Sequence, residues 1–318
     1  MKVRFWGTRG SIPVSLTAND IRGKLIAALT GAAGRHFDNQ NQIEAYVDHE
    51  LGFDICGTFG GHTSCVEVDI GSQEHFICDM GSGARPLGNA MIGKFGPSGQ
   101  TYHIFMSHLH WDHIMGFPFF APIYIPGNRI VIHGCHPGMA EAFRRQHSAP
   151  GFPVDFASLG AEIVFETHEP GQTFEIADLS ISIKEQIHGG NSYGYRFEHA
   201  GRTLIYSTDS EYKLDQIAEL DKTVDFFRDA DMVIFDAMYS LAEAVSVKAD
   251  WGHSSNIVGV ELCQLAKAKC LCMFHHEPAY DDSKIAQVLA ETRRFEEITR
   301  QESPLEVLSA YDGLEVSL

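Results

Sequence analysis

Ser107-His108-Leu109-His110-Trp111-Asp112-His113 follows directly on the apolar run Ile104-Phe105-Met106 and places three imidazoles and a carboxylate within the six positions 108–113. Buried core histidines do not explain that density. If the chain stays extended here, His108 and His110 project to the same side, because side chains in a strand alternate with period two. Asp112 and His113 then need a turn or a helix start that swings them toward a second position. Imidazole nitrogen and carboxylate oxygen are standard donors for zinc, iron or manganese, so the segment reads as part of a shell around two adjacent metal ions.

Four residues leave a bimetallic shell incomplete, and strand ends converge in open α/β folds. Three further candidates stand beyond apolar strands: His188 after the 179–187 segment, Asp209 after Leu204-Ile205-Tyr206, and His275 after Leu271-Cys272-Met273-Phe274. Any one alone reads as a satisfied structural residue; their shared placement reverses that reading. Val131-Ile132, Ile163-Val164-Phe165 and Met232-Val233-Ile234-Phe235 read as further buried strands, and the alternation Leu179, Ile181, Ile183 as a half-buried one. Tyr195 and Phe197 follow a Gly-Gly-Asn turn signal. Helical periodicity is clearest over Asn256 to Ala268 and Ser283 to Gln301. With no repeat or low-complexity linker, residues 1–318 are expected to form a single α/β domain.

Residues 14–58 differ in pattern. Ile21, Leu25, Ala28 and Leu29 make one helical stripe, Ile43, Tyr46, Val47 and Leu51 another, with Gly31 and Gly52 as stops. A helical hairpin packed on the body is the plain expectation. A lid or a contact in a homodimer is the functional alternative.

The chain carries 24 Lys plus Arg against 42 Asp plus Glu, a net charge of −18 that disfavours long polyanions and suits a small substrate. Bound metal or a local basic patch reverses that sign inside one cleft. The N-terminus lacks the apolar core of a signal peptide, and no stretch approaches the roughly 18 consecutive apolar residues of a membrane span, so a cytoplasmic protein with no membrane partner is expected. The seven cysteines contain no C-x-x-C pair and read as reduced core thiols, with Cys270 and Cys272 on one strand face.

His108, His110, Asp112 and His113 form an H-x-H-x-D-H pattern that resembles the metallo-β-lactamase superfamily. The resemblance extends from Gly7-Thr8-Arg9-Gly10-Ser11-Ile12-Pro13 to the closing Ser309–Val316 segment. It implies a four-layer αβ/βα sandwich into which 14–58 is inserted. One metal would lie on His108, His110 and His188, the other on Asp112, His113 and His275, with Asp209 bridging. Two divalent ions are implied, zinc first, with manganese or iron as alternatives.

Fold alone does not assign chemistry on this scaffold. Around the third histidine, Ile187-His188-Gly189-Gly190-Asn191-Ser192-Tyr193-Gly194-Tyr195-Arg196 departs from the Gly-His-Thr/Ser-Pro-Gly type of lactonases and glyoxalase II enzymes. It is similar to the ribonuclease Z and cyclic phosphodiesterase branch. Trp251-Gly252-His253-Ser254-Ser255 resembles that branch's Gly-His-Ser/Thr segment, and His253 precedes His275 by 275 − 253 = 22 positions, a similar spacing. His253 is then a phosphate-contacting proton donor outside the metal shell, although a helix-capping site explains the same residues. With Asp112 it makes the candidate catalytic pair. His275 is preferred over His276 because it comes first after the strand. Asp79 and Asp236, at strand ends, look like carboxylates that orient ligating histidines. The other histidines, among them His62, His75, His103, His133, His136, His147, His168 and His199, receive no role.

Two metals about 3.5–4 Å apart lower the pKa of a bridging water and clamp both oxygens of an in-line displacement at phosphorus. The expected activity is therefore hydrolysis of a small, cyclic or linear nucleotide-type phosphodiester by a metal-bridging hydroxide. Ribonuclease Z itself brings a tRNA-binding arm that is not found in this sequence, and the acidic balance disfavours tRNA. A lactone or ester hydrolase on the same metals is the enzymatic alternative. A non-catalytic metal- or nucleotide-binding protein is the alternative of another class.

Overall fold

The computed structural model describes residues 1–212, 217–239, 252–301 and 303–318. Among the described residues the strands form two seven-stranded sheets. The first contains β1 (Lys2–Gly7), β2 (Cys65–Asp69), β3 (Glu74–Cys78), β4 (Thr101–Phe105), β5 (Arg129–Gly134), β6 (Glu162–Thr167) and β14 (Glu315–Ser317), in the order β14-β1-β2-β3-β4-β5-β6. The second contains β7 (Thr173–Ile176), β8 (Leu179–Gln186), β9 (Ser192–His199), β10 (Arg202–Ser207), β11 (Met232–Asp236), β12 (Cys270–Phe274) and β13 (Glu306–Ser309), in the order β13-β12-β11-β10-β9-β8-β7. Strands β3 to β6 run parallel, as do β10 to β13.

The central strands are buried on both faces, which is why they read as continuous apolar runs. In β11, Met232 and Ile234 enter the core between the sheets, where Phe5, Val66, Phe105, Tyr195, Phe197, Leu204, Tyr206 and Phe274 meet. Val233 and Phe235 face the other way, onto Val260, Leu262, Cys263, Ile285 and Val288. The last five belong to α8 (Asn256–Leu265) and α9 (Asp282–Thr299), which with α7 (Ile217–Phe227) lie outside the second sheet. Outside the first sheet, α4 (Ala84–Phe95) and α6 (Met139–Gln146) bring Leu87, Met91, Met139 and Phe143 onto Tyr102, Ile104, Ile130 and Ile132. The layers are those of the expected αβ/βα sandwich.

The 14–58 segment forms α1 (Ala18–Gly31), α2 (Gln40–His49) and an unforeseen third turn, α3 (Phe53–Cys56). Its packing corrects the expectation. No residue of α1 is buried, and the stripe meant for the body faces outward, with Ile21 45%, Leu25 59% and Leu29 72% exposed. Attachment comes from polar and aromatic contacts instead. Lys24 Nζ reaches Asp282 Oδ2 at 2.7 Å, and Phe53 packs on Phe59 and Tyr311. Cys56 is also exposed rather than a core thiol; the other six cysteines are buried. No helix among the described residues is long and apolar enough to cross a membrane.

Candidate metal centre

The parallel strands of both sheets release their C-terminal ends at one edge of the sandwich, and each candidate ligand leaves such an end or a neighbouring turn. Beyond β4 the chain bends at Ser107, and His110 has extended backbone (φ −64°, ψ 155°) before the chain turns into α5 (Trp111–Ile114). The start of that helix separates His108 and His110 from Asp112 and His113. His188 lies in the β8–β9 connection, Asp209 two residues beyond β10, and His275 at the end of β12. Asp209 (φ 35°), His275 (φ 60°) and Asp79 (φ 59°) all adopt left-handed backbone, which L-residues rarely take and which here turns side chains inward at chain exits.

Two donor sets result: His108, His110, His188 and Asp209 in one, Asp112, His113 and His275 in the other. Asp209 faces both. Its Oδ2 lies 3.6 Å from His108 Nε2 and 3.6 Å from His188 Nε2, while Oδ1 lies 3.1 Å from His113 Nε2 and 3.2 Å from His275 Nε2. Asp112 Oδ2 stands 3.3 Å from His113 Nε2 and 3.2 Å from His275 Nε2, and His188 Nε2 lies 3.1 Å from His110 Nδ1. A tetrahedral zinc shell with bonds of about 2.0–2.1 Å has donor–donor edges of about 3.3–3.4 Å. His113 Nε2 and His275 Nε2 approach to 3.3 Å, a spacing that suits two lone pairs turned toward one cation.

Hydrogen bonds behind the cluster fix which ring nitrogen is bare. His188 Nδ1 donates to the Gly252 carbonyl at 2.7 Å. Asp79, fully buried, accepts from His113 Nδ1 at 2.7 Å, Ser107 Oγ at 2.6 Å and Tyr206 Oη at 2.7 Å. Because the Ser107 hydroxyl donates to Asp79, its oxygen accepts from His108 Nδ1 at 3.0 Å. Nε2 of His108, His113 and His188 is thereby left as a lone-pair donor, and that of His108 is buried with no hydrogen-bond partner. His108, Asp112, His113, Asp209 and His275 are buried, whereas His110 is exposed and marks the mouth. The residues present fit divalent cations.

Electrostatics agree. Burial opposes charge on His113, but Asp209, Asp112 and Asp79 override it and raise its pKa well above the usual value. Burial also opposes the Asp209 carboxylate, and His275, His113 and His108 override that to hold it ionised. In the metal-free protein the carboxylates thus favour a proton on the His113 ring, and metal uptake must displace it.

His253 stands beside both sets and forms a third close grouping with Asp209 and His275. Its Nδ1 bonds Asp236 Oδ2 at 2.8 Å and lies 4.0 Å from Asp209 Oδ2, and its ring stacks on His275 at 5.1 Å. Burial lowers its pKa, but Asp236 and Asp209 override burial and raise it to about 9. Asp236 was expected to orient a ligand; its close contact is His253, and His275 Nδ1 is 3.9 Å away. Asp79 does hold a candidate ligand, His113. His276, the residue passed over in favour of His275, is buried and bonds the Ala310 carbonyl at 2.8 Å. Trp251 lies outside the described residues, and Ser255 caps α8.

Ser107, Tyr206 and Gly252 were missed. A side chain at Gly252 would meet His188 Nδ1 at 2.6 Å, and its φ of 83° favours glycine. His103, His133 and His168, assigned no role, form a buried row with successive nitrogen separations of 3.0 Å and 3.0 Å. Each ring-centre separation is 5.3 Å, larger by 5.3 − 3.0 = 2.3 Å, the sum of two imidazole radii. The nitrogens therefore lie head-on, the geometry of N–H···N bonds, although His133, Glu166 and His168 also cluster closely enough to hold an ion.

The family model described as beta-lactamase superfamily domain matches residues 98–276. Ribonuclease Z of Acaryochloris marina (strain MBIC 11017) is 25% identical over 255 residues, covering 65% of this chain and 77% of that protein. Ribonuclease Z of Geobacillus kaustophilus (strain HTA426) is 24% identical over 236 residues, covering 60% and 75%. Among solved structures, the metallo-beta-lactamase fold protein YhfI from Bacillus subtilis superposes with a TM-score of 0.63 at 16% identity, covering 99% of this chain and 98% of that one. A diphosphatase from the PhnP family gives 0.60 at 16%, covering 100% and 97%. The two structures share the fold; the family match, spanning more than half of the chain and ending just past His275, shows that this protein belongs to the metallo-β-lactamase superfamily.

Proposed function

We propose that this metal-dependent hydrolase is a binuclear phosphodiesterase acting on a small, cyclic or linear nucleotide-type phosphodiester. The observation that carries the reading is the His253–Asp236 pair, set beside two donor sets that share Asp209. His108, His110 and His188 would hold one divalent ion, Asp112, His113 and His275 the other, and Asp209 both. Ions bound there supply an activated water and offset negative charge on the phosphoryl oxygens.

The protein's own part is positioning and proton transfer. Asp79 and Ser107 keep the His113 and His108 rings in their donor tautomers, and the Gly252 carbonyl does so for His188. Asp236 accepts the His253 Nδ1 proton, leaving Nε2 to protonate the leaving oxygen. Carboxylates around His253 favour its protonated form, which a donor requires. No protein nucleophile is needed. Residues 1–318 act as one catalytic unit, with 14–58 as an insertion at the mouth or at a homodimer contact.

The name of the ribonuclease Z relatives favours a second reading, RNA as substrate for the same chemistry. The net charge of −18 opposes it. A panel of bis-p-nitrophenyl phosphate, cyclic nucleotides, 3′-extended tRNA, lactones and thioesters on zinc- and manganese-reconstituted protein separates these readings. Turnover confined to lactones or thioesters refutes a phosphodiesterase, and turnover of tRNA in preference to nucleotides replaces the small substrate with RNA.

A further inference from the structure

Among the described residues, the Gly7–Pro13 loop meets candidate ligands at Asp112 and His275, in one half of the centre. Arg9, 2% exposed, donates from Nε to the Gly60 carbonyl at 2.9 Å and from Nη1 to the carbonyls of Tyr280 at 2.7 Å and Glu277 at 3.3 Å. Thr8 and Arg9 N–H groups donate to the His62 carbonyl, Gly10 N donates to the His276 carbonyl at 3.0 Å, and His276 N donates to Thr8 O at 3.0 Å. The loop is thus tied to the segment that carries His275.

From this anchored position the loop makes two contacts with candidate ligands. Ser11 N donates to Asp112 Oδ2 at 2.7 Å, the same oxygen that faces His113 and His275. Ser11 reaches it with φ 57°, a conformation L-residues rarely take. Gly10 lies between Met238 and the His275 ring: a Cβ there would stand 2.3 Å from Met238 Cε and 2.7 Å from both His275 Cε1 and Nδ1. Among the described residues, no hydrogen bond or ion pair joins loop residues 8–11 to His108, His110 or His188.

We infer that Gly10 and Ser11 are positioning residues that set the Asp112–His113–His275 half of the centre and leave the His108–His110–His188 half alone. The inference rests on the two-ion reading above. One lone pair of Asp112 Oδ2 is committed to a rigid backbone N–H, which fixes the direction in which the carboxylate presents its remaining electrons. On the Gly10 side His275 has little room, because even a methyl group at Gly10 would overlap its ring. Preorganisation of this kind typically governs metal affinity by 10–100-fold.

The test is an equilibrium zinc titration against a chromophoric chelator, on metal-stripped wild type, Gly10→Ala, Ser11→Pro and Ser11→Gly. Far- and near-ultraviolet circular dichroism serves as the check on folding. Wild type should show two binding steps. Gly10→Ala crowds Met238 Cε and the His275 ring, and Ser11→Pro removes the N–H and, with φ held at about −65°, also turns the loop away from Asp112; each should weaken one step by about 10–100-fold and leave the other unchanged. Ser11→Gly keeps the N–H and suits the positive φ, so it should match wild type. If Gly10→Ala does not fold, Ser11→Pro against Ser11→Gly decides the point. Equal weakening of both steps, or no change in folded variants, overturns the positioning role while the two-ion centre stands. A single step in wild type removes the two-ion reading itself, and this inference with it.

Discussion

Removing the His253 imidazole separates proton donation from metal binding. In His253→Ala the Asp236 carboxylate loses one partner at 2.8 Å but keeps the N–H groups of Ser210 at 3.0 Å and Met238 at 3.2 Å. The turn that follows Asp209 therefore stays pinned, and no buried charge is stranded without a donor. Both donor sets remain complete, so metal content should stay at the wild-type value. A lost general acid typically costs 10²–10⁴-fold, about 3–5 kcal/mol of transition-state stabilisation. That cost applies only where the leaving oxygen needs a proton. Loss in kcat should reach this range on a cyclic nucleotide, whose leaving group is an alkoxide, and stay within a few-fold on bis-p-nitrophenyl phosphate. Asp236→Asn should shift the descending alkaline limb of the cyclic-nucleotide profile to lower pH, because it removes the carboxylate that favours protonated His253. The assay pairs kcat on both substrates with elemental analysis, using His110→Ala as the metal-losing control. Metal loss in His253→Ala, or equal loss on both substrates, refutes the assigned role.

Asp79→Asn removes the charge that accepts from His113, Ser107 and Tyr206, and should lower zinc affinity 10–100-fold, measured by chelator competition; unchanged affinity contradicts the tautomer argument. Burial, together with His103 and His168, lowers the His133 pKa to about 3, below its unfolded value near 6.5. Stability from the neutral ring is therefore complete above pH 6.5 and is lost as pH falls toward 3. For metal-free protein this contributes about 3 kcal/mol of lost urea stability between pH 7 and 4.5, and His133→Gln should flatten the slope; an unaltered slope shows that the row is not what titrates. Replacing 14–58 with a short Gly/Ser linker should change KM or the oligomeric mass by light scattering, and a folded product with neither altered makes the insertion merely structural.

The fold and the two donor sets were legible because both rest on local, periodic signals. Apolar strands mark the sheets, and a polar residue just past each strand end marks where parallel strands release their chain. What sequence missed depends on contacts between distant segments. The Ser11 N–H on Asp112 spans a hundred residues and uses a backbone atom, which carries no residue-type signal. Asp236 was read as a partner of a ligand because it ends a strand; that it turns to His253 depends on the side-chain direction fixed by Ser210 N and Met238 N. The α1 stripe misled for another reason. Periodicity of Ile21, Leu25 and Leu29 reports an apolar face but not what covers it, and Lys24 with Phe53 does the anchoring. The head-on row of His103, His133 and His168 comes from β4, β5 and the residue just past β6, and is invisible along the chain.

The central claim is that Asp209 joins two cation sites, and anomalous diffraction at the zinc edge from zinc-loaded crystals tests it most directly. Two peaks are predicted about 3.5–4 Å apart. One should lie among His108, His110 and His188, the other among Asp112, His113 and His275, with one Asp209 oxygen toward each. A single peak contradicts the claim, as does a peak held by Asp209, His253 and His275, among the described residues a third grouping at this site whose donor atoms lie close enough to share an ion.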